Sequence, residues 1–316
     1  MATLLIIGGT GFFGKSILDS FKRNQLVRWK IDKVIIMSRN SHDFEENYPE
    51  LCSKGVDFLT GDISTIDFLP EADFVIHAAA SANTSKFLNR SEEEKNNIID
   101  GTLNYCNLAK KFHKKSKIIY CSSGAVYGYQ PNNLQFLEED NPFGDISKLD
   151  NIKKSYAYAK RDSEVAIREL GKKGINVSIA RCFSFVGKYL PRDQHFAIGN
   201  FIANGKNGTD IEVKTDRLVF RSYMNADDLV EWLLTIADNS KPTCPVYNVA
   251  SDKEIEIREL ANIASQIFNV SVKTVEINKN ATEDRYIPSI EKAKKELGLR
   301  INYALKESIL MSIGKD

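Results

Sequence analysis

Residues 3–14 read TLLIIGGTGFFG, a short apolar run followed by glycines at positions 8, 9, 11 and 14. The apolar run predicts a strand, and residues 15–24 predict the helix that follows it. Glycines at this spacing permit a tight turn, a close approach of the backbone to a pyrophosphate, and close packing of helix on strand. The start of the helix would present free N–H groups to the phosphates. The segment therefore predicts a dinucleotide site with contacts at Gly8, Gly11, Phe12, Phe13 and Gly14; an ordinary glycine-rich turn is the alternative.

The end of the second apolar run, residues 33–37, bears on the choice of dinucleotide. NAD sites usually have an acidic residue at about this point to hold the ribose hydroxyls, but this chain has Ser38 and Arg39. Ser38 can hydrogen-bond a 2′-phosphate, and Arg39 can pair with its charge. We therefore predict NADP as the cofactor and NAD as the second choice, unless Arg39 is only a surface arginine. Farther along the chain, Asp62 could accept a hydrogen bond from an adenine amine, or it could form an Asx-type turn.

The composition argues against several classes of protein. The chain has 316 residues, with 43 Lys and Arg against 42 Asp and Glu, and its net charge is +1. This balance gives no electrostatic reason to expect nucleic acid or an anionic membrane as a partner. We expect neither a membrane span nor a secretory signal. The five cysteines are scattered without metal-ligand spacing, which predicts reduced thiols in a cytoplasmic protein and no metal site.

The first half of the chain alternates short apolar runs with helical patterns. This alternation predicts an α/β protein with a Rossmann-type, doubly wound parallel sheet and helices on both faces. Beyond Arg181 the pattern changes, and residues 187–216 predict a loop-rich region with Gly, Pro and Asn clusters. The predicted strands are 3–7, 33–37, 57–59, 73–77, 117–121, 176–180 and 246–249, and the predicted helices are 15–24, 93–112, 156–170, 257–268 and 289–297.

A tyrosine and a lysine lie four residues apart in the helical pattern that begins at Tyr156. At this spacing Tyr156 and Lys160 share one face of a helix. The Lys160 ammonium and a cationic nicotinamide would favour the phenolate, so that Tyr156 could donate and accept the proton of a sugar hydroxyl or ketone. Ser123 follows the fifth strand on the ligand side of the sheet, where it could stabilise charge on the reacting oxygen. The alternative is a packed tyrosine beside a lysine whose stem covers apolar surface.

The segments GGTGFFG, GDI, HAAA, SSGAVYG and YAYAK, in this order and spacing, resemble those of the extended short-chain dehydrogenase/reductases. These are the nucleotide-sugar epimerases, 4,6-dehydratases and ketoreductases. The resemblance covers nearly the whole chain, because the segments RSYMNADDL and YNVA and the closing Arg-to-LG segment also resemble that family. It implies that Ser123, Tyr156 and Lys160 are catalytic. The further cofactor contacts that it implies are Asp62, Ile63, Ala78, Ala79, Ala80, Tyr156 and Lys160.

The resemblance also implies where the substrate binds. Arg221 and Arg285 would hold a nucleotide diphosphate, to which the bidentate geometry of arginine is suited. In 4,6-dehydratases of this family the catalytic hydroxyl is followed by Asp and Glu, which carry out the elimination. This chain has Gly124 and Ala125 there, so we do not expect dehydration. The other predicted substrate contacts are Ser81, Ser123, Gly124, Ser184, Asn200 and His195, the last of which could equally be a loop residue.

These observations predict an oxidoreductase that acts on a nucleotide-linked sugar. The leading hypothesis is NADP-dependent reduction of a 4-keto sugar nucleotide, in which Tyr156 protonates the oxygen while Lys160 and Ser123 hold it. The alternatives are a nucleotide-sugar epimerase that retains NAD and a catalytically idle, cofactor-sensing scaffold. We expect a cytoplasmic homodimer. The dinucleotide-binding domain would comprise residues 1–180 and about 222–250, and the nucleotide-sugar-binding domain about 181–221 and 251–316.

Overall fold

The computed structural model describes residues 1–80, 84–147, 149–193 and 196–314. Two predicted substrate contacts, Ser81 and His195, lie outside the described residues. The helices are α1 Phe12–Lys22, α2 Ser41–Asn47, α3 Thr84–Phe112, α4 Asn151–Gly171, α5 Ala197–Lys206, α6 Ala226–Asp238, α7 Ile257–Phe268, α8 Glu291–Leu297 and α9 Leu305–Met311. The strands are β1 Ala2–Ile7, β2 Ile31–Ser38, β3 Val56–Thr60, β4 Phe74–His77, β5 Lys117–Ser123, β6 Val177–Cys182, β7 Phe185–Val186, β8 Ile211–Val213, β9 Val219–Ser222, β10 Met224–Asn225, β11 Val246–Val249, β12 Glu254–Glu256, β13 Val272–Thr274 and β14 Asp284–Tyr286.

The main sheet has seven strands in the order β11-β6-β5-β4-β1-β2-β3, and every neighbouring pair is parallel. Leu4 and Ile6 of β1 belong to the core on one face of this sheet, while Leu5 and Ile7 belong to the core on the other face. Helices therefore cover both faces, which explains why the central strands read as continuous apolar runs. The predicted Rossmann-type fold is confirmed.

The strand order reverses beside β1, which has β2 on one side and β4 on the other. In a sheet of this kind, ligands bind in the crevice beyond the carboxyl ends of the strands at such a reversal. The glycine loop follows β1 and the HAAA segment begins at the last residue of β4, so both lie at this crevice. Ser123 ends β5, the next strand along the same edge.

The second half of the chain adds small sheets and a separate apolar core. β9 pairs with β12 and β14, β8 pairs with β13, and β7 pairs with β10. The predicted loop-rich region 187–216 also contains two regular elements that the sequence did not predict, α5 and β8. The glycines and asparagines of α5 hide its periodicity, but Ile198, Phe201 and Ile202 are buried against α7 and stabilise the helix.

Several helices begin earlier than the sequence predicted. α1 begins at Phe12 rather than at residue 15, and α4 begins at Asn151 rather than at residue 156. The Asp150 side chain accepts a hydrogen bond from the Lys153 N–H at 2.9 Å, and this cap fixes the start of α4. α6, which the sequence did not predict, begins after Asn225, whose side chain accepts from the Asp227 N–H at 2.7 Å.

Candidate active site

The glycine loop is shaped by close contacts that only glycine allows. Gly8 has a φ of 83°, and a Cβ there would meet the Ala79 Cα at 2.6 Å. A Cβ on Gly14 would overlap the carbonyl of Gly9, so this glycine lets α1 approach the loop. Gly11 caps α1 without a side-chain hydrogen bond, which leaves the first N–H groups of the helix available to an anion. The structure thus brings Gly8, Gly11, Gly14 and Ala79 together in a cradle that fits a dinucleotide pyrophosphate.

The other predicted cofactor contacts have the following surroundings. Ala78 donates its N–H to the Ile7 carbonyl at 2.8 Å, and Ala80 is exposed just beyond it. Phe12 and Phe13 form the first turn of α1 and pack against Phe185, with centroids 6.2 and 5.4 Å away. Ile63 is buried after β3, and its carbonyl accepts from the Asn104 side chain at 2.8 Å.

The residues predicted to select the cofactor already have partners within the protein. The Ser38 and Thr10 hydroxyl oxygens are 2.9 Å apart. An Arg39 guanidinium nitrogen lies 3.6 Å from an Asp62 carboxylate oxygen, although the Arg39 side chain is 58% exposed. Asp62 also accepts hydrogen bonds from the Ser64 N–H and hydroxyl at 2.9 and 2.8 Å, which is the Asx-type turn. Burial raises the pKa of Asp62, but the Ser64 hydrogen bonds and Arg39 lower it below its ordinary value.

The predicted catalytic lysine lies beneath the end of β5. Its ammonium donates to the Cys121 carbonyl at 2.9 Å and to the Tyr120 hydroxyl at 3.3 Å. The Lys160 side chain is buried, and its nitrogen lies 5.7 Å from the centroid of the Tyr156 ring. Burial lowers the pKa of Lys160, but the Tyr120 and Tyr156 phenols outweigh it and leave the pKa above its ordinary value. Lys160 is therefore a fixed cation behind Tyr156.

Burial and the neighbouring groups shift the pKa of the Tyr156 phenol in opposite directions. Burial raises the pKa of its phenol, whereas the Lys160 charge and a hydrogen bond with Ser123 lower it. Burial prevails, so the pKa stays above its ordinary value and the resting phenol is protonated. The structure brings Ser123, Tyr156 and Lys160 together, and a protonated Tyr156 can donate a proton to a substrate oxygen.

Tyr286 is a member of this cluster that sequence reasoning missed. A Cβ on Gly124 would overlap the Tyr286 hydroxyl, so this hydroxyl occupies the space that the glycine leaves open next to Ser123. Its ring packs on Phe183 with the centroids 4.6 Å apart. Burial raises the pKa of the Tyr286 phenol well above its ordinary value. The sequence signal that could have revealed Tyr286 is the alternation of side chains along a strand. Because Tyr286 directly follows Arg285, the two side chains must point to opposite faces of the sheet.

The structure does not place Arg221 and Arg285 on the same face of their sheet. Arg221 is the register partner of Tyr286, and Arg285 is the partner of Phe220. Arg221 forms an ion pair with Asp284 at 2.9 Å, and its guanidinium carbon is 5.9 Å from the centroid of the Tyr286 ring. Arg285 instead pairs with Glu254 and Glu283 on the other face. Of the two arginines, only Arg221 shares a sheet face with Tyr286.

The other predicted substrate contacts lie in the second half of the chain. Ser184 follows β6, and its carbonyl accepts from the Met224 N–H at 3.0 Å. Asn200 of α5 lines a cavity of about 390 Å³ together with Phe201 and Thr215. Amide groups beside an aromatic ring suit a flat, polar ligand.

A buried ionic network lies behind the end of β5 and was also missed. The Glu164 carboxylate accepts from the Ser122 hydroxyl at 2.7 Å and pairs with Arg181 at 2.9 Å. Arg181 also donates to the Tyr127 hydroxyl at 2.9 Å, and that hydroxyl donates to Asn248 at 2.7 Å. This network fixes the turn that carries Ser123.

The sequence model of the NAD dependent epimerase/dehydratase family matches residues 4–250. The chain belongs to this family. Members of the NAD-dependent epimerase/dehydratase family share its Rossmann-like fold, and the predicted family is confirmed. UDP-glucuronic acid decarboxylase 3 of Arabidopsis thaliana is 26% identical over 311 residues, which cover 97% of this chain and 86% of the relative. UDP-N-acetyl-alpha-D-glucosaminuronate decarboxylase of Bacillus cytotoxicus is 28% identical over 287 residues, which cover 86% and 82%.

Solved structures of similar fold cover almost the whole chain. The dTDP-glucose 4,6-dehydratase of Streptomyces venezuelae, with NAD and TYD bound, has a TM-score of 0.82 at 21% identity and covers 99% of this chain and 96% of that one. The UDP-glucose 4-epimerase of Thermotoga maritima, with UDP-glucose, has a TM-score of 0.81 at 19% identity and covers 99% and 97%. Among the described residues, no helix is long and apolar enough to cross a membrane, and no group of three or more His, Cys, Asp or Glu could hold a metal ion.

Proposed function

We propose that the protein is a nucleotide-sugar epimerase, which oxidises and re-reduces one ring carbon of its substrate with retained NAD. The observation that carries the proposal is the cluster of Ser123, Tyr156 and Lys160. In the sequence, Ser123 is followed by Gly124 and Ala125, which have no side chain that titrates. A bound NAD supplies the hydride acceptor and donor. The protein groups need only take the proton from the hydroxyl oxygen on that carbon and return it, which a single phenol can do in both directions.

The three side chains have distinct roles in this proposal. Tyr156 accepts the proton of the sugar hydroxyl during oxidation and donates it back during reduction. Lys160, held by the Cys121 carbonyl, supplies the positive charge that favours the phenolate of Tyr156. Ser123 hydrogen-bonds the reacting oxygen and stabilises the charge that develops on it. The cradle around Gly8 and Gly14 would hold the dinucleotide pyrophosphate.

Gly124 and Ala125 argue against the 4,6-dehydratase reaction, because an elimination needs an acid and a base beside the oxidised carbon. They do not argue against a decarboxylase, since a keto group β to a carboxylate loses CO₂ without a further acid or base. The two relatives described above are decarboxylases of UDP-linked uronic acids. UDP-glucuronic acid is therefore included among the test substrates. Release of CO₂ from it would show that the protein is a decarboxylase and not an epimerase.

The nucleotide part of the substrate has candidate contacts. Arg221 lies on the same sheet face as Tyr286 and is 23% exposed, so it can reach a diphosphate near the active site. The cavity lined by Asn200 and Phe201 offers amide groups and an aromatic ring to a nucleotide base. Arg285, which two glutamates hold on the other face, is assigned a structural role.

The second candidate is the NADPH-dependent reduction of a 4-keto sugar nucleotide. Ser38 and Arg39 favour it, because Arg39 is more than half exposed and could leave Asp62 for a 2′-phosphate. Calorimetric titration with both cofactors tests this point. Tighter binding of NADP than of NAD, lost in Arg39→Ala, would support the reductase, whereas preference for NAD supports the epimerase.

We further propose that the protein works in the reducing cytoplasm, because its cysteines form no disulfide. The free cysteines are Cys52, Cys106, Cys121, Cys182 and Cys244.

The test of the proposed function is a conversion assay with UDP-glucose, UDP-galactose, UDP-N-acetylglucosamine and UDP-glucuronic acid. Each is incubated with the NAD-loaded protein, and the products are separated by chromatography. We expect one substrate to be converted to its epimer without net formation of NADH. Oxidation of NADPH with a 4-keto sugar nucleotide, in place of epimer formation, would favour the second candidate. Failure of every substrate in both assays would overturn the proposal.

A further inference from the structure

The pairing of β2 with β3 brings Asp62 beside Arg39. Ser38, the last residue of β2, is the register partner of Thr60, the last residue of β3. The residue after Thr60 is Gly61, which donates its N–H to the Ser38 carbonyl at 3.0 Å and fixes the chain where it leaves β3. Arg39 and Asp62 follow these contacts at the ligand edge of the sheet, with 3.6 Å between a guanidinium nitrogen and a carboxylate oxygen.

The Asp62 carboxylate has little freedom to turn away from Arg39. Its Oδ1 atom accepts from both the N–H and the hydroxyl of Ser64, at 2.9 and 2.8 Å. The Asp62 backbone carbonyl accepts from the Thr65 and Ile66 N–H groups at 3.1 and 2.9 Å. Oδ2 is the atom that faces Arg39. An exposed ion pair usually contributes little because two long side chains must be ordered, but here one of the two partners is already fixed.

The Ser38 hydroxyl also has partners within the protein. It lies 2.9 Å from the Thr10 hydroxyl oxygen and accepts from the Asn40 N–H at 3.4 Å. The two side chains that the end of β2 could offer to a 2′-phosphate, Ser38 and Arg39, are therefore both engaged. Of the three partners, Thr10, Asn40 and Asp62, only Asp62 is negatively charged.

We propose that Asp62 selects NAD over NADP, because its carboxylate holds Arg39 and so keeps that cation from pairing with a 2′-phosphate. This inference rests on the proposed function, in which the retained cofactor is NAD. NAD sites usually have an acidic residue at the end of the second strand, whereas this chain has Ser38 there and supplies a carboxylate from the end of the third strand. NADP would have to displace Asp62 from Arg39 and bring a phosphate of about −1.5 to −2 charge beside that carboxylate.

The experiment measures the ratio of NADP affinity to NAD affinity by equilibrium competition. NAD-loaded full-length protein is dialysed against mixtures of the two dinucleotides until the bound composition is constant, and the bound dinucleotides are released and separated by chromatography. Asp62→Asn keeps an acceptor oxygen for Ser64 but has no charge, so Arg39 becomes free to pair with the 2′-phosphate. We expect the ratio to rise about tenfold, the value of one hydrogen bond to a charged group.

Two further variants separate this role from a general change of charge. Asp57→Asn removes the carboxylate of another exposed ion pair between the same two strands, with Lys33 at 2.7 Å, and should leave the ratio unchanged. In the Arg39→Ala background, Asp62→Asn should change the ratio far less than it does in the wild type, because the cation that Asp62 holds is gone.

An unchanged ratio in Asp62→Asn would overturn the inference, and so would an equal rise in Asp57→Asn. A rise of the same size with and without Arg39 would show that Asp62 does not act through that cation. Both dinucleotides compete for the same folded molecules, so a partly unfolded variant does not alter the ratio. No sugar nucleotide is present, and failure of this inference therefore remains distinguishable from failure of the proposed function.

Discussion

Tyr156 is the residue on which the proposed chemistry depends. Its phenol lies near the Lys160 cation, and burial keeps it protonated at rest. Tyr156→Phe should leave NAD affinity unchanged but lower kcat by ~10²–10⁴-fold, the usual contribution of a general acid or base. Calorimetry and a conversion assay measure the two quantities. Turnover close to that of the wild type would remove Tyr156 from the mechanism.

The two arginines provide a matched pair of variants. Arg221→Ala should weaken UDP binding about tenfold or more, because a hydrogen bond to a charged group contributes roughly 1.5–3 kcal/mol. Arg285→Ala should leave UDP affinity unchanged and lower the melting temperature, since it breaks the contacts with Glu254 and Glu283. Calorimetric titration with UDP and thermal unfolding of both variants test this. Equal losses of affinity would show that both arginines bind the diphosphate.

The sequence predicted the local placement of these residues but not the contacts between distant segments. The motif around Tyr156 and Lys160 predicted their shared helical face, because four-residue spacing is a local property. Tyr286 was missed, because its contact with Gly124 depends on how two distant segments pack. Both arginines were predicted from their segments, but only the register of β14 on β9 shows that they point to opposite faces.

At the scale of elements, the Glu164–Arg181 pair joins α4 to β6 within the core. Arg181→Met would leave Glu164 buried without its partner and should lower the free energy of unfolding by about 3–5 kcal/mol. The double variant Arg181→Met/Glu164→Leu should recover much of that loss, because an apolar pair needs no charge compensation. Urea unfolding measures both. A single variant as stable as the wild type would contradict this.

The start of α6 confers a pH dependence on stability. Burial raises the pKa of Asp228 to about 6, although hydrogen bonds from Asn302 and Tyr303 oppose the shift. Between about pH 4 and pH 6, the folded protein therefore binds more protons at this site than the unfolded chain does. The contribution of Asp228 to the free energy of unfolding should fall as the pH rises through this window, by on the order of 2 kcal/mol.

Asp228→Asn keeps one acceptor oxygen but cannot titrate, so it should flatten the stability profile over the same window. Urea unfolding of both proteins at several pH values measures the difference in slope. A variant that retains the slope of the wild type would assign the pH dependence to other groups.

The strands and long helices of the first half were predictable because periodicity and apolar runs are local signals. The prediction was poorer where tertiary contacts decide the structure. The fragments β7, β8 and β10 are two or three residues long, too short to show alternation. α5 contains Gly205, which lies against the Phe268 ring, so its glycines reflect close packing rather than a turn.

For the whole molecule, we propose that residues 1–180 and about 222–250 form the dinucleotide-binding domain. α6 and β11 support this division, because α6 packs on α1 and β11 pairs with β6 in the main sheet. The cluster that includes Ile198, Phe201 and Leu260 would be the core of the substrate domain. The active site would then lie between the two, with Tyr286 supplied by the smaller one.

The predicted homodimer has a candidate interface on α3 and α4, which pack side by side. Leu103, Tyr158 and Val165 are exposed on these helices. A charge at such an apolar position would oppose burial in an interface. Val165→Asp should therefore convert a dimer to a monomer in light scattering, whereas Val27→Asp, at an equally exposed apolar position elsewhere, should not. A wild-type monomer, or the same behaviour in both variants, would contradict this interface.

The measurement that tests the proposed reaction most directly follows deuterium placed on the reacting ring carbon of the UDP-sugar that is converted. In the NAD-loaded wild-type protein, hydride transfer and return should keep the deuterium on that carbon in the epimer, and Tyr156→Phe should slow its appearance by ~10²–10⁴-fold. Exchange of the deuterium with solvent, or formation of the epimer at an undiminished rate in Tyr156→Phe, would contradict hydride transfer assisted by Tyr156.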